Sequence, residues 1–393
     1  MADVTEALTG DAVEVPHGFV TYAGNAGIKD DSLDLSIIAS NIACVADGVF
    51  TKSLFAGPSV VLSRRNLESG APRAIVTVSK NANVATGHQG ERDAAALAEL
   101  VAGVIGSEPA DVLVGSTGVI GRRYPMDRLR AHLKGLKMPK DADFGAVARA
   151  IMTTDTVPKL ASARAGKATV LGIAKGSGMI EPDMATLLGY LVTDAGVPKH
   201  AMAEAFRRTV DVTFNSLSID TDTSTSDSVL LLANGAAGPV GTADFEHALH
   251  AVCRSLTLQL AADAEGATKV VQVTVSTARD AGQARRVAKA VVNSPLVKCA
   301  VHGADPNWGR VVMAIGKCSE DVDITPEAVR VRFAGLEVYP RQLDEAGLGK
   351  LAKLMRSDMV EIGIDLATGD AGATVWGCDL SAEYVHINAD YTT

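Results

Sequence analysis

Between Lys175 and Asp194 the chain changes character at one bond. Lys175-Gly-Ser-Gly-Met-Ile-Glu-Pro-Asp-Met-Ala185 is a loop built on Gly and Pro, and Thr186-Leu-Leu-Gly-Tyr-Leu-Val-Thr193 is an apolar, β-prone run. The sequence therefore calls for a fold that starts a strand at Thr186, directly behind an irregular loop. The junction carries chemistry as well. If the Ala185–Thr186 bond were cut, Thr186 would gain a free α-amine, which titrates at about pH 8. Such an amine is a base for its own side-chain hydroxyl, so one cleavage would create nucleophile and base together. Taken alone, the residues are also explained by a β-branched residue that simply opens a strand.

The same alternation of signals runs along all 393 residues. Strand-like runs fall at 74–79, 111–115, 168–174, 228–232, 270–276, 297–302, 329–333, 359–366, 373–378 and 384–391. Helical spacing marks 91–105, 126–136, 144–152, the segment after Pro198 with Met202, Phe206, Val210 and Phe214, the long run from Phe245 to Leu260, 283–292 and 348–355. No internal repeat, low-complexity tract or Pro/Ser linker interrupts the pattern. The chain reads as a layered α/β fold with mixed sheets. The boundary it offers is covalent, between an N-terminal half, 1–185, and a C-terminal half, 186–393.

A net charge of −9 argues against nucleic acid and anionic membrane surfaces as partners. Arg122-Arg123 and Arg285-Arg286 are short and read as solvated faces. No apolar run reaches the ~18 residues of a membrane-spanning helix, and the acidic N-terminus has no apolar signal core. Aromatics are only 4% of the residues, so the core must be built from Ala, Val, Leu and Ile. Cys44, Cys253, Cys299, Cys318 and Cys378 lack metal or redox spacing and read as free, mostly buried thiols in a reducing cytoplasm. His247 and His250 have no third ligand near, so no metal site is expected.

Several segments offer polar groups. Ser116-Thr117-Gly118 ends a strand, where a Thr hydroxyl and a Gly N–H either stabilise an oxyanion or form a plain turn. After a helix, Thr153 or Thr154 contacts a polar substrate, or Pro158 merely stops the helix. The run 215–227 is the most polar in the chain, either a hydroxyl network beneath a site or a surface loop. It lacks the turn Gly and distal Glu of a calcium loop. Glu265 follows the long helix, with Gly266 as its cap, and faces a substrate ammonium or open solvent. Asp305-Pro-Asn-Trp-Gly-Arg310 reads as a compact turn, either a structural corner or a ligand wall. No phosphate-binding Gly loop and no Gly-x-Ser-x-Gly elbow occurs.

Together these segments resemble the ornithine acetyltransferase (glutamate N-acetyltransferase) family. Lys175-Gly-Ser-Gly-Met-Ile-x-Pro-x-Met-Ala-Thr186 matches the family's self-cleavage junction. The likeness extends to Val15-Pro-His-Gly-Phe19, Ala26-Gly-Ile-Lys29, Asn81-Ala-Asn83 with Thr86-Gly87, and Ser116-Thr-Gly-Val-Ile-Gly121. It continues through Ile151-Met-Thr-Thr-Asp-Thr156, Asn293-Ser-Pro-Leu-Val297, Asp305–Arg310, and Asn388 with Tyr391-Thr-Thr393. The resemblance implies two interlocking α/β halves with an N-terminal-nucleophile-like site. It implies self-cleavage before Thr186 into α and β fragments that assemble as an α2β2 heterotetramer. It further implies a ping-pong reaction with no cofactor or metal: Thr186 takes acetyl from N-acetylornithine, releases ornithine and acetylates glutamate. By the same resemblance Thr117 and Gly118 form the oxyanion hole, while Thr154, Lys175, Thr186, Glu265, Asn388 and Thr393 bind substrate. Cationic Lys175 suits a carboxylate; Glu265 and the terminal carboxylate of Thr393 suit ammonium groups.

Glu181 and Asp183 depart from the small or His residue and the Asn common in the family. The departure leaves the pathway open between arginine biosynthesis and a specialised-metabolite acyltransferase. A Thr-nucleophile amidase or aminopeptidase, and an uncleaved structural relative, are the other readings. Use of acetyl-CoA as a second donor depends on pocket shape.

Overall fold

The computed structural model describes residues 6–181 and 187–390. Asp183, Ala185, Thr186 and Thr393 lie outside the described residues. The centre is a six-stranded sheet in the order Leu8–Thr9, Lys159–Ala165, Ala168–Lys175, Leu188–Gly196, Ser228–Pro239, Val45–Phe50. Leu188–Gly196 and Ser228–Pro239 run parallel, and their other neighbours are antiparallel. Ala168–Lys175 is buried at every residue, and Leu188–Gly196 at all but its last. Both faces are covered, which is why these strands are near-continuous apolar runs.

On one face, Met202 and Phe206 of helix Lys199–Val212 and Phe245, Val252 and Leu256 of helix Thr242–Ala262 pack on Val170, Leu191 and Val229. On the other, Ile173, Leu188, Val192 and Leu230 meet Phe19, Ile38, Ile75 and Leu113 of a four-stranded sheet. That sheet is ordered Phe19–Gly24, Leu35–Ser40, Ala74–Val78, Val112–Ser116, and helices Gly87–Ile105 and Met126–Leu133 cover its far side. The result is a helix–sheet–sheet–helix stack. Each fully buried Leu or Ile in it contributes roughly 1.5–3 kcal/mol. Tyr190 bridges the two sheets: Thr77 Oγ1 donates to its hydroxyl at 2.8 Å. Gly115 makes room, since a Cβ there would strike that hydroxyl.

A five-stranded sheet, ordered Leu336–Tyr339, Arg330–Phe333, Met359–Asp365, Val270–Ala278, Ala371–Cys378, forms a second core with helices Ala281–Val292 and Trp308–Gly316. The segments before and after the junction share the central sheet. Lys175 pairs with Leu188, and Val45–Phe50 closes the far edge against Ser228–Ala233.

Some sequence expectations are corrected. The strand expected at 297–302 is the helix Pro295–His302. Ser294 caps it by accepting from Val297 N, and Pro295 occupies its first turn, so start signals outweigh the β-branched valines. The strand expected at 384–391 is, as far as described, the helix Ala382–Asp390, begun by Ser381 Oγ accepting from Glu383 N at 3.2 Å. Its Val385 is exposed, so the apolar alternation there marked no sheet face. Trp308 opens a helix within the expected turn, and Asp263, not Gly266, caps the long helix. The strand Lys159–Ala165 escaped notice because Ala and Ser are weak strand formers. The Arg pairs remain largely solvated, and three of the four are also in ion pairs, Arg123 to Asp93, Arg285 to Asp211 and Arg286 to Asp321. Of the free thiols, Cys253 and Cys378 are buried, Cys44 and Cys318 half-buried and Cys299 exposed.

Candidate active site

Two strand ends, one from each packed sheet, open into one cavity. Thr117 and Gly118 follow Val112–Ser116, and Lys175 closes Ala168–Lys175. Thr153 and Thr154 reach the cavity from the turn after helix Phe144–Ala150, Glu265 from behind helix Thr242–Ala262, and Asn388 from the C-terminal helix. Leu187, which follows Thr186 in sequence, lines the wall, as does Asp227 just before strand Ser228–Pro239. Thr117, Gly118, Thr154, Lys175, Glu265 and Asn388 thus share one cavity although the sequence scatters them. Thr186, Ala185 and Thr393 lie outside the described residues.

The corner at Gly118 is built for close approach. Its φ is +119°, and a Cβ would run into the Lys80 backbone, so only glycine fits. Thr117 N donates to Val78 O at 3.1 Å and Ala82 N to Val119 O at 3.0 Å, which fixes the turn. The Gly118 N–H donates to none of the described residues. Nearby Lys80, Asn83 and Ala85 have φ of 67°, 51° and 57°, a run of left-handed residues that costs about 1–3 kcal/mol each and tends to gather at functional sites.

Lys175 Nζ donates to Thr117 Oγ1 at 3.2 Å. With its lone pair engaged, the Thr117 hydroxyl keeps its hydrogen for a ligand. Burial lowers the Lys175 pKa below its ordinary value, while Asp155, Asp227 and Glu265 pull it back up. Behind Lys175 is a buried charge cluster. Lys159 Nζ lies 2.7 Å from Asp155 Oδ1 and 2.5 Å from Asp263 Oδ2. Asp155 also accepts from Gly176 N at 2.7 Å and Thr153 N at 3.1 Å, and so ties two cavity edges together. Burial opposes ionisation of Asp155, yet Lys175, Lys159 and the Gly176 N–H together hold its pKa at about 2.

At the other end, Asn388 Nδ2 donates to Glu265 Oε2 at 2.8 Å, and Glu265 N donates to Ser177 O at 2.8 Å. Thr154 Oγ1 and Ser177 Oγ are 2.6 Å apart. The loop toward the junction is pinned by Asp220, whose carboxylate accepts from Met179 N and Ile180 N, both at 2.7 Å. Glu181 turns away from the cavity. Its Oε2 accepts from Asn293 Nδ2 at 2.7 Å and Ser218 Oγ at 2.9 Å, and its Oε1 lies 3.2 Å from Lys289 Nζ. Glu181 is therefore an anchor of the loop.

Sequence reasoning did not single out Asp227 and Ser226, both buried in the wall. Their signal was the polarity of the run 215–227 directly before an apolar strand. Among the described residues, no His, Cys, Asp and Glu cluster has metal-holding geometry, and no helix is long and apolar enough to cross a membrane. A cation and hydrogen-bond donors at one end, and a carboxylate with an amide at the other, suit a small zwitterionic molecule with a carbonyl beside Thr117 and Gly118.

The profile of the ArgJ family matches residues 21–393. The arginine biosynthesis bifunctional protein ArgJ 2 of Nostoc sp. is 52% identical over 383 residues, which is 97% of this chain and 99% of that one. The glutamate N-acetyltransferase Oat2 of Streptomyces clavuligerus is 51% identical over 387 residues, 97% of this chain and 98% of that one. A solved chain of ornithine acetyltransferase from Mycobacterium tuberculosis, complexed with ornithine, is 35% identical and covers 46% of this chain and 100% of that one, with a TM-score of 0.41.

Proposed function

This chain belongs to the ArgJ family of acyltransferases, and from that premise we propose that it moves the acetyl group of N-acetylornithine to glutamate through an acetyl-Thr186 intermediate. The observation that carries the reading is the shared cavity of Thr117, Gly118, Thr154, Lys175, Glu265 and Asn388, with Leu187 in its wall. Cleavage between Ala185 and Thr186 yields fragments 1–185 and 186–393. They stay together because strands of both halves share one sheet, with two strands of the second half held between strands of the first, and they pair further into an α2β2 assembly in the cytoplasm. The free thiols fit a reducing compartment.

Thr186 Oγ attacks the acetyl carbonyl while its proton passes to the Thr186 α-amine. Negative charge gathers on the carbonyl oxygen, where the Gly118 N–H and the Thr117 hydroxyl donate to it. Lys175, bound to Thr117 Oγ1, strengthens that donation. The C–N bond then breaks, ornithine leaves with one added proton, and the acetyl ester remains on Thr186. Glutamate attacks the ester with its neutral amine, the C–O bond breaks, and Thr186 Oγ recovers a proton. Glu265, Asn388 and the Thr393 carboxylate hold substrate ammonium groups, Thr154 contacts the substrate beside them, and Lys175 holds the carboxylate end. The amide's energy is kept in the ester, so neither cofactor nor metal is required. The test is an assay with N-acetylornithine and glutamate. Equal amounts of ornithine and N-acetylglutamate are expected; release of acetate in place of N-acetylglutamate would make the protein an amidase.

A further inference from the structure

Asp227 sits in the cavity wall and takes no part in the steps above. We propose that its carboxyl group is a further catalytic group, the acid–base partner of the substrate nitrogen that gives up or receives the acetyl group. The proposal rests on the acyl-transfer reading.

The backbone aims this side chain. Thr51 N donates to Asp227 O at 3.0 Å, and the next residue, Ser228, donates through its N to Leu187 O at 2.9 Å. Ser228 is in register with Leu188, so Asp227 stands across from Leu187, the residue after Thr186 in sequence. Asp227 is 3% exposed, and its Oδ2 has no hydrogen-bond partner among the described residues. Ser226 Oγ, also in the wall, is buried without a partner too. Buried polar atoms are normally paired, because leaving them unpaired is costly. Two buried oxygens without a partner among the described residues, both on residues that line the one cavity, leave a place for a further polar group. The charged groups around it are Lys175 and Glu265 in the same cavity, Asp155 behind Lys175, and Arg64, whose guanidinium donates to Thr51 O. Burial pushes the Asp227 carboxyl well above its ordinary value, against the pull of Ser224 and Lys175. A carboxyl whose ionisation is opposed by burial holds its proton more firmly than an exposed one, and a departing amine needs such a donor.

The proton count closes. In the first half-reaction the Thr186 hydroxyl proton goes to the α-amine, the C–N bond breaks, and Asp227 gives its proton to the leaving nitrogen. In the second, the attacking nitrogen returns a proton to the Asp227 carboxylate, and the α-ammonium returns one to Thr186 Oγ as the C–O bond breaks.

The test compares N-acetylornithine with p-nitrophenyl acetate, whose phenolate leaves without a proton. In the wild type, acylation by N-acetylornithine should fall as pH rises and Asp227 deprotonates, while acylation by the ester should lack that alkaline limb. Asp227→Asn should lose about a hundredfold or more in kcat with the amide donor, lose the alkaline limb, and change little with the ester. Equal losses with both donors, a raised KM at unchanged kcat, or the same alkaline limb for both donors in the wild type would overturn the proposal. If Asp227→Asn does not fold, the wild-type comparison decides alone. A wild type that transfers acetyl while Asp227→Asn matches it removes only the role of Asp227; a wild type that forms no acetyl-enzyme from either donor removes the acyl-transfer reading.

Discussion

Asp155→Asn separates the buried charge cluster from the chemistry it supports. The wild-type side chain is wholly buried, with Lys159 Nζ at 2.7 Å. Asparagine keeps an acceptor for the Gly176 N–H but removes the charge, leaving Lys159 with Asp263. The Asp155 pKa is about 2 against an ordinary value of 3.8. That difference, at about 1.4 kcal/mol per unit, makes ionised Asp155 worth roughly 2 kcal/mol of stability. Because the folded-state value is depressed, this contribution is complete above the unfolded value and is lost as pH falls from about 4 to about 2. About half is lost by pH 3. Removing one partner of a buried pair adds its own cost, so the variant should be less stable at pH 7 by about 3–5 kcal/mol. Urea unfolding of both proteins at pH 7 and pH 3 measures this, and the gap should narrow by about 1 kcal/mol at the lower pH. A gap that does not change with pH, or no gap at pH 7, would refute the reasoning.

Gly118→Ala should lower kcat by about 10²–10³-fold with little change in KM, since the turn must move off Lys80 and carry its N–H away from the oxyanion; a fully active variant would exclude Gly118 as a donor. Lys175→Met should lower kcat/KM by at least about tenfold by stripping the partner of Thr117 Oγ1, and an unchanged value would remove Lys175 from the site. Glu265→Gln should raise KM for N-acetylornithine by about tenfold more than it lowers kcat, as measured by initial rates, because a neutral amide binds an ammonium more weakly; a pure kcat effect would contradict the assignment.

The site was legible where residue type and local geometry coincide. Gly118 is one such place, where a glycine after a strand allows a backbone that no other residue fits. Lys175 is another, the last residue of a buried strand ahead of a Gly-rich loop. Asp227 was hidden because nothing local distinguishes it from the other hydroxyls and acids of its run; only the pairing of its strand beside Leu187 puts it in the wall. Long helices and buried strands followed their periodicity, as in Thr242–Ala262 and Leu188–Gly196. Short segments did not. In Pro295–His302 a Ser-Pro start decided the outcome over β-branched content, and in Lys159–Ala165 tertiary burial made a strand of small residues. Glu181 stood out from sequence only as a departure from the family pattern, and its tether to Ser218, Asn293 and Lys289 became visible only in the fold.

The most direct measurement is the intact mass of the purified protein under denaturing conditions, before and after N-acetylornithine, for the wild type and Thr186→Ala. The wild type should give two fragments, 1–185 and 186–393, and the second should become heavier by one acetyl group, which peptide mapping places on Thr186; Thr186→Ala should remain one chain and gain nothing. A wild type that stays one 393-residue chain yet transfers acetyl, or an acetyl group mapped to another residue, would contradict the account.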